Sequence, residues 1–166
     1  MTNAKPDEVT LTGTRADTVI LDDLGPIDRK ALTVFVSGHA ATQGSKRYVG
    51  HGIMVEANKR LPAWRSDVRN ALQDENGEPR VAFGRAEVYA KLLFILPRPK
   101  SASPNKYLPA TKRSSDLDKL TRAIFDAVTS AGVWEDDCQV TRATMEKAIA
   151  LKDQTPGCFI TIIERP

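Results

Sequence analysis

The stretch Leu117–Ala131 constrains this chain most. Leu117, Leu120, Ile124, Ala127, Val128 and Ala131 recur at helical spacing and form one apolar stripe. Gly132 follows where a left-handed helix cap is expected. Such a helix must lay its stripe on other elements, and the sequence offers several. Ala31–Val36 and Ala86–Leu96 are rich in β-branched, aromatic and aliphatic residues and read as strands. Thr141–Ala150 and Cys158–Glu164 read as two late strands with Pro156-Gly157 turning between them. Leu61–Leu72 places Leu61, Trp64, Val68, Ala71 and Leu72 at helical spacing, with Pro62 tolerable in the first turn. Asp74–Pro79 is a turn, Ile53–Glu56 a short strand, and Ser37–Gly52 and Arg98–Ser115 are loops. The order strand, helix, strand, helix, strand, strand predicts a single-domain α+β fold, a mixed sheet with two main helices.

The 166 residues suffice for one compact domain, and 41% hydrophobic content excludes a disordered chain. Residues 1–30 are polar and weakly periodic and read as a mobile tail, with Thr18–Leu21 as a short strand. Residues 31–166 read as the folded domain. No apolar run approaches the roughly 18 residues of a membrane span. The acidic N-terminus lacks the basic start and apolar stretch of a secretory signal, so the cytoplasm is the expected compartment. Cys138 and Cys158 belong to no paired zinc-binding pattern and read as small buried thiols.

Net charge is only +3, but its distribution is uneven. Arg98–Ser115 holds Arg98, Lys100, Lys106, Lys112 and Arg113 and no acidic residue; Lys46 and Arg47 form a second basic cluster beside Tyr48. Local positive potential of this kind suits a polyanion, and a solvated loop is the plainer reading.

Asp116 and Asp118 open the helix Leu117–Ala131. Ser114, Ser115 and Asp116 are good N-cap residues, and acids in a first turn complement the helix dipole, so capping alone accounts for them in isolation. At about 100° per residue the apolar stripe centres some 130° away from Asp118. Thr121, Arg122, Phe125 and Asp126 share Asp118's side, where a surface i,i+4 ion pair is the plainer account. A second acidic group, Glu135-Asp136-Asp137, follows the helix. Hard divalent cations take oxygen ligands, and magnesium is typically held by one or two carboxylates with waters and phosphate oxygens. The difficulty is reach. The helix is about 22 Å long, and the return segment to Asp137 spans at most about 20 Å. Either the helix is shorter, or Asp137 approaches diagonally, or the site is completed across a dimer.

The run DLDKLTRAIFDAVTSAGVWEDDCQV resembles the signature segment of the RusA family of Holliday-junction resolvases. Asp116-Leu117-Asp118 fits its DxDN start and Phe125-Asp126-Ala127-Val128 its FDAL-like helix segment. Gly132 to Val140 fits its G-x-W-x-DD-x-QV end at the right distance. Gln43-Gly44-Ser45-Lys46-Arg47 resembles the early basic loop of phage-type members. The resemblance implies a RusA-like fold and a homodimer that binds four-way junctions and makes paired nicks in recombination and repair. It implies Mg2+ as cofactor, with Mn2+ as a substitute. It further implies Asp116, Asp118 and Asp137 as catalytic, metal-binding carboxylates, with Asp136 the alternative to Asp137. Lys46, Arg47, Lys112, Arg113 and Lys119 are the expected DNA contacts. Two positions depart from the pattern. Lys119 stands where the family has Asn, and Arg122 stands where its basic catalytic residue is normally Lys. Arginine stays protonated and cannot act as a general base, so Arg122 is expected to stabilise charge on the phosphate.

Two other readings compete. A non-catalytic DNA-binding protein using the basic loops would bind in a salt-sensitive, metal-independent way; the carboxylates argue against it, since they repel phosphate unless a cation intervenes. A PD-(D/E)xK nuclease is disfavoured because Glu146-Lys147 lacks the intervening residue. Lys147 itself reads as a strand-surface lysine slightly better than as an active-site or DNA contact. Tyr48 and Tyr107 suit either base stacking or an ordinary loop surface.

Overall fold

The computed structural model describes residues 29–44, 46–48, 50–52, 54–103, 105–109 and 114–166. The expected tail to residue 28, with its strand at Thr18–Leu21, lies outside them, as do Lys112 and Arg113. The elements are β1 (Ala31–Ser37), β2 (Lys46–Tyr48), β3 (Met54–Glu56), α1 (Leu61–Leu72), β4 (Val88–Leu96), α2 (Leu117–Ser130), β5 (Val140–Ile149) and β6 (Gly157–Glu164). A single 3-10 turn, Asp137–Gln139, leads into β5. The fold is α+β, as the element order predicts. One correction concerns Ser37–Gly52, read above as a loop: Lys46–Tyr48 pairs antiparallel with Met54–Glu56 as a two-stranded ribbon. Three polar residues beside glycines give no periodicity from which to read a strand.

The main sheet has the order β1-β6-β4-β5. β6 runs antiparallel to both β1 and β4, whereas β4 and β5 are parallel and joined through α2. Parallel neighbours need such a crossover. Alternate residues of the sheet, among them Leu92, Phe94, Ile160 and Ile162, meet Trp64, Val68 and Leu72 of α1 and Leu120, Ile124 and Val128 of α2 in one core. Each large aliphatic side chain so buried contributes about 1.5–3 kcal/mol.

α2 ends as its glycine predicts. Gly132 has φ +75°, the Val133 N–H donates to Val128 O at 3.3 Å and the Gly132 N–H to Thr129 O at 3.0 Å, the two bonds of a Schellman cap. Gly157 has a different reason to be glycine: a Cβ there would lie 2.3 Å from Val36 O and within 2.6 Å of the Phe35 ring. Only a bare backbone lets β6 come this close to β1. The expectation of two buried cysteines holds for Cys158 alone. Cys138 is exposed, because the turn Asp137–Gln139 carries it outside the sheet. Among the described residues no helix is long and apolar enough to cross a membrane.

Candidate active site

Asp116 occupies the N-cap position of α2 with extended backbone (φ −70°, ψ 134°), yet its side chain makes no capping hydrogen bond. Its carboxylate points outward, and the Lys119 ammonium stands 2.9 Å from Oδ2. The hydrogen bond and charge of Lys119 hold the Asp116 carboxyl below the usual carboxylate range, and Asp116 raises Lys119 in return. Asp118 lies exposed in the first turn. The start of α2 is instead fastened from β5. Lys147 Nζ donates to Ser115 O at 2.7 Å and to Ser114 Oγ at 3.0 Å.

One turn further on, Arg122 lies exposed beside the loop that leaves β1. The Gln43 N–H donates to Lys119 O at 3.0 Å, and a Cβ on Gly44 would stand 3.2 Å from the Arg122 guanidinium. Gln43 Nε2 also donates to Asp126 Oδ2, which Arg65 approaches at 3.6 Å. Asp126 is thus engaged by α1 and the loop. Among the described residues Arg122 forms no ion pair with Asp118 or Asp126, so the i,i+4 pairing considered above is not made. Asn58 Nδ2 bonds Thr42 O and Oγ1 at 3.1 and 3.2 Å and fixes the same loop. A hollow of about 320 Å³ opens between this loop and Ser115, with Asn58 and Arg60 in its wall.

The far end of α2 sorts the second acidic group by role. Trp134 is buried, donates from Nε1 to Thr129 Oγ1 at 2.7 Å and meets Phe125 edge-on at 5.4 Å between ring centroids. Asp136 accepts from the Cys138 N–H at 2.8 Å, which lowers its carboxyl. Gln139 Oε1 accepts from the Glu135 and Asp136 N–H groups at 2.8 and 3.1 Å. Gln139 Nε2 donates to Gly84 O and Ala86 O at 2.7 and 2.8 Å. Glu135 pairs with Arg85 at 2.9 Å. Asp136 and Gln139 therefore build the turn, and Asp137 lies exposed on it.

The structure brings Asp116, Asp118, Lys119 and Lys147 to one end of α2 and leaves Asp137 at the other. The helix keeps 14 residues, so about 20 Å separates the two ends. No three His, Cys, Asp or Glu side chains among the described residues converge as a metal cage. The helix is only one residue shorter than expected. At the start of α2, Asp116 and Asp118 offer exposed carboxylate oxygens of the kind magnesium takes together with water and phosphate. The Asp116 end of α2 lies by the carboxyl-terminal part of β5, from which Lys147 reaches Ser115 O. Lys46 and Arg47 fall on β2, reached from Gly44.

Lys147 and Gln139 hold more of the structure together than their local sequence suggests. Lys147 reads as a surface lysine, and Gln139 as a motif letter without a role. Each also binds backbone oxygens 32 to 55 positions away, which no local pattern announces.

No curated protein matches the chain significantly. The family model of endodeoxyribonuclease RusA matches residues 38–163, taking in the loop Ala41–Gly44, both helices and the turn that carries Asp137. The chain therefore belongs to the RusA family of endodeoxyribonucleases, enzymes of Holliday-junction cleavage.

Proposed function

We propose that this chain is a magnesium-dependent resolvase acting in the cytoplasm, that of the host for a phage-encoded chain, which cuts four-way junctions by paired nicks as a homodimer. The observation that carries the reading is how the signature segment divides. Leu120, Ile124, Val128 and Trp134 are spent on the core, and Asp136, Gln139 and Gly132 on turns. Glu135 pairs with Arg85, and among the exposed residues that neither the core nor the turn uses are Asp116, Asp118, Arg122 and Asp137. A fold has no need of three exposed carboxylates and a guanidinium at these positions; phosphodiester hydrolysis does.

Asp116 and Asp118 would hold Mg2+, or Mn2+ in its place, with Asp137 as the third carboxylate. When bound, the ion supplies a hydroxide nucleophile and stabilises the departing oxygen. Arg122 stabilises the charge that develops on the phosphate. Lys46, Arg47, Lys112, Arg113 and Lys119 bind the flanking backbone, an electrostatic contribution that weakens with salt. The hollow beside Ser115 and Arg60 gives the cut strand a path past Asp116.

The separation of Asp137 from Asp116 supports completion of each site by a second copy. β5 is an edge strand, with β4 on one side and no described strand on the other. Antiparallel pairing of two β5 strands about a two-fold axis would bring the turn holding Asp137 beside the Asp116 end of the other copy. Two such sites are symmetric, as paired nicks require.

The test is cleavage of a synthetic four-way junction, against linear duplex, with Mg2+ or EDTA. Paired Mg2+-dependent nicks are expected, lost in Asp116→Asn while gel-shift binding survives. Mixing inactive Asp116→Asn with inactive Asp137→Asn should restore nicking, because a mixed dimer regains one intact site when each site draws on both chains. No restoration would place both carboxylates in one chain's site or remove Asp137 from it. The Lys119–Asp116 contact favours a second reading, a DNA-binding protein that does not cut; junction binding without cleavage under any metal would establish it.

A further inference from the structure

We propose that Lys147 is a positioning residue of this active site: from the edge strand β5 it clamps the Ser114–Ser115 backbone and so keeps the Asp116 carboxylate turned outward. The proposal rests on the nuclease reading above and adds a residue to it. An aspartate at an N-cap ordinarily folds back to accept an N–H of the first turn. Asp116 does not, and this start of α2 needs another fastening if its carboxylate is to stay available. Lys147 provides it through two bonds from one ammonium, at 2.7 Å to Ser115 O and 3.0 Å to Ser114 Oγ. Bonds from a charged donor are stronger than neutral ones.

The placement of Lys147 fits this role better than that of a solvated strand lysine. It is half-buried and pairs in register with Phe94, whose side chain lies in the core under the helices. Withdrawing an ammonium from water there is costly unless its donors are used. Both acceptors are neutral oxygens, and no carboxylate lies within ion-pair distance among the described residues. The cation therefore holds the backbone just before Asp116 without occupying the carboxylate itself.

The full-length protein, Lys147→Met and Lys147→Arg would be compared by four measurements. These are Mn2+ affinity by electron paramagnetic resonance, kcat at saturating junction, junction Kd with its salt dependence, and thermal unfolding. For Lys147→Met the expected result is a loss of about 10- to 100-fold in Mn2+ affinity and in kcat, the usual effect of removing a residue that orients a metal ligand. Junction Kd should stay within about twofold, and Lys147→Arg should recover part of the loss. Unchanged kcat with weaker binding and a salt slope reduced by about one would make Lys147 a phosphate contact and overturn the proposal. Lower thermal stability with unchanged Mn2+ affinity and kcat would overturn it in favour of a purely structural lysine. Should Lys147→Met fail to fold, Ser114→Ala removes one of the two acceptors of Lys147: weaker Mn2+ binding at constant junction Kd supports the clamp, and no change in either refutes it. A wild type that neither binds Mn2+ nor cuts would instead sink the nuclease reading itself.

Discussion

Lys119 Nζ stands 2.9 Å from Asp116 Oδ2, three positions apart on the first turn of α2. The residue that departs from the family's asparagine thus holds the carboxylate that the same family pattern marks as catalytic. A divalent ion at Asp116 would have to displace this ammonium or share the oxygen with it. Lys119→Asn is therefore expected to tighten Mn2+ binding. The gain should be modest, roughly two- to fivefold, because exposed ion pairs are weak. Calorimetric titration checks it, and weaker binding in the variant would show Lys119 assisting the site rather than competing in it.

Removing Lys119 should also be visible in acid. The lowered Asp116 carboxyl contributes stability that is present above its unfolded pKa, near 3.9, and is lost as pH falls through the lower folded value. A carbon NMR titration should place the Asp116 midpoint below the ordinary carboxylate range, and Lys119→Asn should move it back up.

Arg122 is exposed and forms no ion pair among the described residues, so Arg122→Ala leaves no buried partner behind. Its cost should fall on the chemical step, about 10²–10³ in kcat, the range for loss of one group that stabilises developing charge. Equal losses in kcat and junction affinity would make Arg122 a binding residue only.

At the other end of α2, stability and chemistry should separate. Gln139→Ala removes a side chain that makes four hydrogen bonds across two loops, for an expected cost of about 1–3 kcal/mol in urea unfolding. Asp137→Asn should leave the unfolding midpoint in place and abolish cutting. A destabilised Asp137→Asn would mean that the turn depends on this carboxylate.

The two thiols offer a check on the same turn. Cys158 is buried, and burial pushes its thiol up; the Asp136 carboxylate beside Cys138 raises that one too. The thiolate is the reactive form. A thiol reagent should thus label only Cys138 in the native protein, slowly at neutral pH and faster as pH rises. Asp136→Asn should speed the labelling, and rapid loss of both thiols would contradict the packing of β6.

Much of this molecule is legible in the sequence because local patterns carry it. The apolar stripe of α2, its Gly132 cap and the aliphatic run of β4 each announce an element within a few turns or strand residues. The ribbon β2–β3 is missed because Lys46–Tyr48 is too short and polar to show a period. The sheet order is not legible either, since pairing Ala31 with Ile163 depends on packing between residues far apart in sequence. At the site, the family pattern points to Asp116, Asp118 and Asp137, and its spacing favours Asp137 over Asp136. What the pattern does not announce is that the Cys138 N–H engages Asp136 in the turn. Lys147 stays hidden for the same reason as the sheet order: what it holds lies on another element.

The pairing of β1 with β6 has a consequence for biosynthesis. β1 leaves the ribosome before the other described elements, yet the strand it joins follows all of them. Until then Leu32, Val34 and Val36 have no sheet to enter, while β4, α2 and β5 can associate as soon as they emerge. Contacts of such long sequence separation form late, and unpaired apolar strands are where nascent chains aggregate. Yield in the cell should therefore respond more to chaperone supply, and to charges placed on the outer face of β1, than to any change at the carboxylates.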